Sequence, residues 1–104
     1  MSLHRKLDQV LSRFHEVEAL LASGTLASDV FTKLSREYAE LTPLATTIRQ
    51  YKKAQAEFAD LEGLMKDATA DKDMRAMAEE EYFRLKDDLP LLEKQIQIAL
   101  LPKD

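Results

Sequence analysis

The side chains that could bind a metal ion or transfer a proton are two histidines and one run of carboxylates. His4 and His15 lie eleven positions apart on one predicted helix, which separates them by roughly 16 Å and is too far for a shared metal ion. His15 and Glu18 share a face, but a di-iron helical bundle needs Glu-x-x-His on each of two helices. The sequence contains neither copy. We interpret both histidines as solvent-exposed and expect no metal site.

The densest carboxylate run is Glu79–Glu81, followed by Asp87 and Asp88. General acid–base catalysis needs two carboxyl groups that face one cleft in unlike environments, whereas consecutive helical residues point about 100° apart. An acidic, solvated face is therefore favoured, with docking as its functional alternative. The chain has only two glycines and no glycine-rich phosphate loop or nucleophile elbow. We expect no catalytic residue, no cofactor and no enzymatic activity.

One basic cluster, Arg49, Lys52 and Lys53, surrounds Tyr51. Basic side chains one turn apart can contact successive phosphates of a nucleic-acid backbone. The simpler interpretation is a solvated stretch around a core tyrosine. A net charge of −4 and a pI near 5.2 exclude a global attraction to nucleic acid or an anionic membrane. Any phosphate contact must therefore be local to this cluster.

Length and composition predict one helical domain. The chain has 104 residues, is 45% hydrophobic and 33% charged, and contains two glycines and three prolines, as is typical of solvated helices with an apolar seam. Without cysteine there is no disulfide framework, which suits a reducing compartment. No apolar run approaches the roughly 18 residues that span a bilayer. We therefore expect a cytoplasmic protein that makes no membrane contact.

Apolar residues recur every three or four positions and predict three helices, over residues 2–23, 28–69 and 72–100. Gly24 is the expected left-handed C-cap of the first helix, and Ser28 is the expected N-cap of the second. Asp71 or Asp73 should start the third helix, whose seam includes Met74. Most methionines suit core packing. The predicted seam positions are Leu3, Leu7, Val10, Phe14, Val17 and Leu21, then Phe31, Leu34, Tyr38, Leu41, Ala45, Ile48, Phe58, Leu61 and Met65, then Met74, Ala78, Leu85, Leu89, Leu92, Ile96 and Ala99.

Proline interrupts the second and third patterns. Pro43 removes one helical hydrogen bond and clashes with the carbonyl of Ala39, so we expect a kink or a one-residue break there, with Thr42 capping a restart. Pro90 should bend the third helix. At 1.5 Å per residue the helices would measure roughly 30, 60 and 45 Å, and short links make neighbouring helices antiparallel. The predicted fold is all-α: an elongated antiparallel three-segment helical bundle or coiled coil, with the second helix kinked or broken near Pro43.

Several segments carry a family resemblance. Asp73–Glu79 reads DMRAMAE, the chain closes with LLPKD at Leu100–Asp104, and Leu34–Leu41 reads LSREYAEL, followed by Pro43 and by Tyr51–Lys52. Over essentially its whole length the chain resembles the N-terminal helical domain of bacterial peptide chain release factor 1. That resemblance implies that residues 1–104 belong to a longer factor that ends translation at UAA and UAG.

The resemblance also implies a binding role for this part of the factor. Pro-x-Thr, which reads the stop codon in that family, and the Gly-Gly-Gln loop, which promotes peptide release, are both missing here; Thr42–Thr46 has the spacing Pro-x-x-Thr. The implied partners of the intact factor are the stalk base and GTPase-associated centre of the large ribosomal subunit. The methyltransferase that modifies the glutamine of Gly-Gly-Gln and the GTPase that recycles the factor are implied as well.

The apolar end of the third helix is the candidate docking site. Ile96, Leu100 and Leu101 lie within two turns, and leaving such side chains in water is unfavourable. We expect the missing remainder of the factor to cover them. Without it, either a second copy forms a homodimer or the rest of the monomer covers them. Alternative functions are a stand-alone coiled-coil adaptor, a tRNA-binding helical arm, which should be basic, and a metalloenzyme bundle, which lacks ligands.

Overall fold

The computed structural model describes residues 3–102, and within that range the chain is helical without a β-strand. Helix α1 spans Leu3–Ala22, α2 spans Ser28–Lys66 and α3 spans Lys72–Ala99. The predicted all-α class and its three helices are confirmed, with helix ends within three residues of those expected. Residue 2 of the first predicted helix, and Lys103 and Asp104 of the closing motif, lie outside the described residues.

The chain divides into two compact units, Met1–Ile48 and Arg49–Asp104. The first unit contains α1 and the beginning of α2, and the second contains the remainder of α2 and α3. Each unit therefore pairs two helical segments through a short connection. Such connections make consecutive helical segments antiparallel.

Apolar side chains at the predicted seam form the core of the first unit. They are Leu7, Phe14 and Val17 of α1 together with Leu34, Ala45 and Ile48 of α2, all of which are buried. Phe31, also predicted on the seam, is 49% exposed because it lies in the first turn of α2, near the connection. Gly24 has φ +71°, the left-handed conformation that the sequence predicts for the C-cap of α1.

Three further contacts hold α1 against α2 within this unit. The guanidinium of Arg13 donates from Nε to Glu37 Oε2 at 2.6 Å and from Nη2 to Glu37 Oε1 at 2.8 Å. This bidentate geometry orients both side chains. The rings of Phe14 and Tyr38 stack with centroids 5.0 Å apart, and Tyr38 Oη donates to Glu18 Oε2 at 3.2 Å. Two aromatic residues of the predicted seam thus stack on each other, and the two polar contacts lie beside them.

The second unit is joined by aromatic contacts and one buried hydroxyl. Phe58 stacks on Tyr82 with ring centroids 4.4 Å apart. Tyr51, only 4% exposed, donates its hydroxyl to Glu93 at 3.4 Å and accepts a hydrogen bond from Gln55 at 3.0 Å. Burial, with a smaller effect of the Glu93 carboxylate, raises the pKa of Tyr51. Residue 51 faces 93 and residue 58 faces 82, so this helix pair is antiparallel.

Helix α2 runs through Pro43 without a break. The sequence predicted either a kink or a one-residue break at this position, and the break is wrong. The predicted cap at Thr42 is wrong for the same reason. Its hydroxyl donates instead to the carbonyl of Tyr38 at 2.7 Å, four residues back inside the helix. The hydroxyls of Thr46 and Thr47 bond the carbonyls of Thr42 and Pro43 in the same way. Pro90 likewise lies inside α3.

Two other expected caps differ in detail. Ser28 is the first helical residue rather than the N-cap, because the first bond of α2 runs from Phe31 N to the carbonyl of Ala27. The sequence predicted that Asp71 or Asp73 starts α3, and Asp71 is its N-cap. The side chain of Asp71 makes no capping hydrogen bond. At α2 and α3, therefore, the residue before the helix supplies no side-chain capping hydrogen bond.

We predict that Pro43→Ala raises the free energy of unfolding by about 1–3 kcal/mol, because alanine restores the backbone donor that proline lacks in the interior of α2. Urea unfolding followed by circular dichroism measures the change. Pro102→Ala, at an exposed position after α3, is the matched control and should have little effect. Loss of stability in Pro43→Ala would mean that packing requires proline at this position.

We further predict that the Arg13–Glu37 pair contributes to the loss of stability in acid. The hydrogen bond from Arg13 holds the pKa of Glu37 below its usual range, so its contribution is present at neutral pH and is lost as the pH falls through the lowered pKa. Glu37→Gln removes this titration, and its melting temperature should fall less on acidification than that of the wild type. Glu40→Gln, an exposed glutamate on the same helix, is the control. Equal pH dependence in wild type and Glu37→Gln would contradict the prediction.

Candidate functional site

Negative charge is concentrated at the turn between α2 and α3. Residues 57–88, here called the acidic hairpin, contain eleven acidic and five basic side chains, a net charge of −6, whereas the rest of the chain has eight acidic and ten basic side chains and a net charge of +2. Glu79–Glu81, Asp87 and Asp88 are all exposed. The predicted acidic face is therefore confirmed, and it lies entirely within the second unit.

An apolar groove of about 230 Å³ lies on the acidic hairpin. Leu61 and Leu64 of α2 line it from one side, and Met74, Met77 and Ala78 of α3 line it from the other. Met74 is 53% exposed and Met77 is 67% exposed. Ala78 is the buried residue of the lining. The groove is therefore open to solvent and lined almost entirely by hydrocarbon and thioether groups.

The exposure of these methionines corrects the core interpretation made from the sequence. Met74 lies at a predicted seam position, but it is in the first turn of α3, where the neighbouring helix covers it only partly. Met77 precedes the buried Ala78 by one position and so points about 100° away from it. An apolar residue just off the predicted seam is the sequence signal that could have identified this surface.

One carboxylate, on α3, lines the groove, and another lies one helical turn from Leu61 on α2. Glu57, Leu61 and Leu64 are spaced i, i+4 and i+7 and so share one face of α2. On α3, Glu81 itself lines the groove, and it forms an ion pair with Arg84. Glu57 is more than half exposed and lies 4.0 Å from Lys53 Nζ. The groove thus combines an apolar lining with the Glu81 carboxylate, and Glu57 lies one turn beyond the lining on α2.

The predicted docking residues at the end of α3 do not form one patch. Ile96 is fully buried, Leu100 is half-buried and Leu101 is 65% exposed. Ile96 lies inside α3, whereas Leu100 is the C-cap and Leu101 follows the end of the helix. Ile98, 58% exposed, and Leu91, 61% exposed, lie seven positions apart on the solvent side. Of the three predicted docking residues, Ile96 is therefore a core residue, and Leu100 and Leu101 are the two that solvent reaches.

The basic cluster is largely on the surface. Arg49 and Lys53 are exposed and Lys52 is half-buried, while Tyr51 between them belongs to the core, as the simpler interpretation predicts. Lys53 is the residue whose ammonium lies near Glu57. Phosphate contact by Arg49, Lys52 and Lys53 stays a prediction.

Both histidines are exposed. His15 Nδ1 lies 3.9 Å from Glu18 Oε1, with each side chain more than half exposed. Among residues 3–102, no three His, Asp or Glu side chains are placed to hold one metal ion. No helix in the described part of the chain is both long enough and apolar enough to cross a membrane.

Comparison with known proteins identifies the family. The PCRF domain matches residues 10–104. Proteins named "Peptide chain release factor 1" are similar to this chain: that of Rhizobium rhizogenes is 44% identical over 99 residues, that of Erythrobacter litoralis is 44% identical over 99 residues, and that of Gluconobacter oxydans is 38% identical over 104 residues. These alignments cover 95%, 95% and 100% of this chain.

The chain spans only 27–28% of the length of these curated relatives. No solved structure matches it significantly. The family match nevertheless extends over the larger part of α1, from residue 10 onward, and over the whole of α2 and α3. The sequence is similar to bacterial proteins named "Peptide chain release factor 1". The chain therefore belongs to the PCRF domain family.

Proposed function

We propose that this chain is the N-terminal binding module of a peptide chain release factor that directs translation termination at UAA and UAG. The observation that carries the proposal is the 44% identity over 99 residues to proteins named "Peptide chain release factor 1". A stand-alone coiled-coil adaptor would account for three helices, but it would not account for that identity. The proposed role is to provide contacts, while other parts of the factor read the codon and promote release.

The surface supports a binding role. Large apolar side chains are exposed in both units, including Val30 and Phe31 in the first and Phe83 in the second. Exposed apolar groups with polar borders are typical of interaction sites. The proposed partner of the intact factor is the stalk base of the large ribosomal subunit, in the cytoplasm, with the glutamine methyltransferase and the recycling GTPase as further partners. Arg49, Lys52 and Lys53 are the proposed phosphate contacts.

We predict that the 104-residue chain folds alone but does not release peptide. Circular dichroism should show dominant helix and a cooperative melt. A release assay on ribosomes stalled at UAA should show no product with the chain, whereas the Rhizobium rhizogenes factor should release peptide. Peptide release by the isolated chain would contradict the proposed division of roles.

A chimera tests the function directly. In it, the segment of the Rhizobium rhizogenes factor that aligns with this chain is replaced by this chain, and termination is measured at UAA, UAG and UGA. The chimera should act at UAA and UAG and not at UGA. A folded chimera that fails to bind ribosomes would contradict the proposed function.

Leu100 and Leu101, at the end of α3, are proposed to dock against the remainder of the factor. In the isolated chain, they are proposed to join two copies as a homodimer. Burying an exposed leucine contributes roughly 1.5–3 kcal/mol, so the chain should dimerise at high concentration. Sedimentation of the wild type beside Leu100→Ser/Leu101→Ser measures this. Leu91→Ser is the control, because Leu91 lies inside α3 and is about as exposed as Leu101. A wild type that stays monomeric would contradict docking through this end.

A further inference from the structure

We propose that the apolar groove of the acidic hairpin binds a basic amphipathic helix of a partner protein. The groove belongs to one unit and needs no other part of the chain to be complete. Its walls come from Leu61 and Leu64 on α2 and from Met74 and Met77 on α3. Met77 is the most exposed of the chain's large apolar side chains in the described range, at 67%. Covering it would remove apolar surface from water, which favours binding.

The charge of the acidic hairpin determines the class of occupant. A net charge of −6 over residues 57–88 opposes the approach of nucleic-acid phosphates and of anionic lipids. It also opposes a second copy of the same hairpin. A partner rich in Lys and Arg is attracted instead, and its positive groups would meet the carboxylate of Glu81 in the groove lining and that of Glu57, one turn from Leu61 on α2.

The shape of the groove favours a helix. Its apolar side chains are spaced three positions apart on each helix, at 61 and 64 and at 74 and 77. Pairs with this spacing accept the i, i+3, i+4 and i+7 side chains of an amphipathic helix laid along the groove. The volume of about 230 Å³ is below the roughly 300–1,000 Å³ of small-molecule pockets. Side chains of a protein partner therefore fit better than an enclosed small ligand.

Methionine suits such a surface. Its unbranched thioether side chain adapts to differently shaped partners, and two of the three described methionines, Met74 and Met77, line this groove. The groove is thus adapted to a helix that presents leucine-sized residues on one face and positive charge beside them.

The proposal goes beyond the proposed function, because it requires neither a ribosome nor a stop codon. The probe is a fluorescent synthetic helix of leucine and lysine in helical periodicity, and binding to the 104-residue chain is measured by anisotropy. A peptide with the same leucines and glutamate in place of lysine is the charge control. Only the basic peptide should bind, and added salt should weaken its binding.

The groove itself is tested with Met74→Gln/Met77→Gln. Both positions are exposed and glutamine is a good helix former, so circular dichroism should show an intact fold. We expect at least about a tenfold loss of affinity for the basic peptide. The matched control, Leu91→Gln, changes an equally exposed side chain of α3 outside the groove and should bind as the wild type does.

Three outcomes would overturn the proposal. Equal binding by the wild type and the double variant would show that the peptide is held by charge alone. If the acidic peptide bound as tightly as the basic peptide, the charge of the hairpin would not select the partner. A dimer in sedimentation that the double methionine change abolishes, while Leu100→Ser/Leu101→Ser does not, would assign the groove to a second copy. None of these outcomes depends on the termination assays, so the two proposals fail separately.

Discussion

Two helices can bury no more than the stripe along which they meet, and each unit of this chain has only one pair of helical segments. This constraint explains why a chain that is 45% hydrophobic leaves so many large apolar side chains in water. In the second unit, Ala78 and Leu85 are buried while Met77, Phe83 and Leu91, close to them in sequence, are about half exposed or more. A third helical layer over this face would have covered them.

With so little enclosed core, lateral contacts help to set the register of each pair. The Arg13 guanidinium fixes Glu37 with two hydrogen bonds, and Phe58 stacks on Tyr82. Tyr51 combines a buried ring with a hydroxyl that bonds Gln55 and Glu93, because a buried hydroxyl without a partner is costly. These contacts are directional, whereas an apolar stripe alone tolerates sliding.

The same constraint connects fold to function. A hairpin of two helices exposes much surface for its mass, and this chain places most of its negative charge on one such hairpin. Family membership, shown by the PCRF match over residues 10–104, connects the chain to release factors. An exposed apolar groove with the Glu81 carboxylate in its lining is a physical reason for expecting a protein partner at this hairpin.

Much of the fold was predictable because helical periodicity is local. The rhythm of Leu7, Phe14 and Val17 predicts their burial, and the glycine after α1 predicts the left-handed residue that ends it. The sequence also located the acidic face. Burial of the seam and the left-handed glycine depend on neighbours within one or two helical turns. The acidic face depends on charges that must stay solvated.

Tertiary structure decided what the local pattern leaves open. Pro43 stays inside a continuous α2, although its nitrogen cannot donate the helical hydrogen bond. Ile96 is buried while Leu101 is exposed, and Met74 is open although it lies at a seam position. Periodicity defines the face of a helix on which a side chain lies. Whether that face is covered depends on how far the neighbouring helix extends, and only the folded chain determines that.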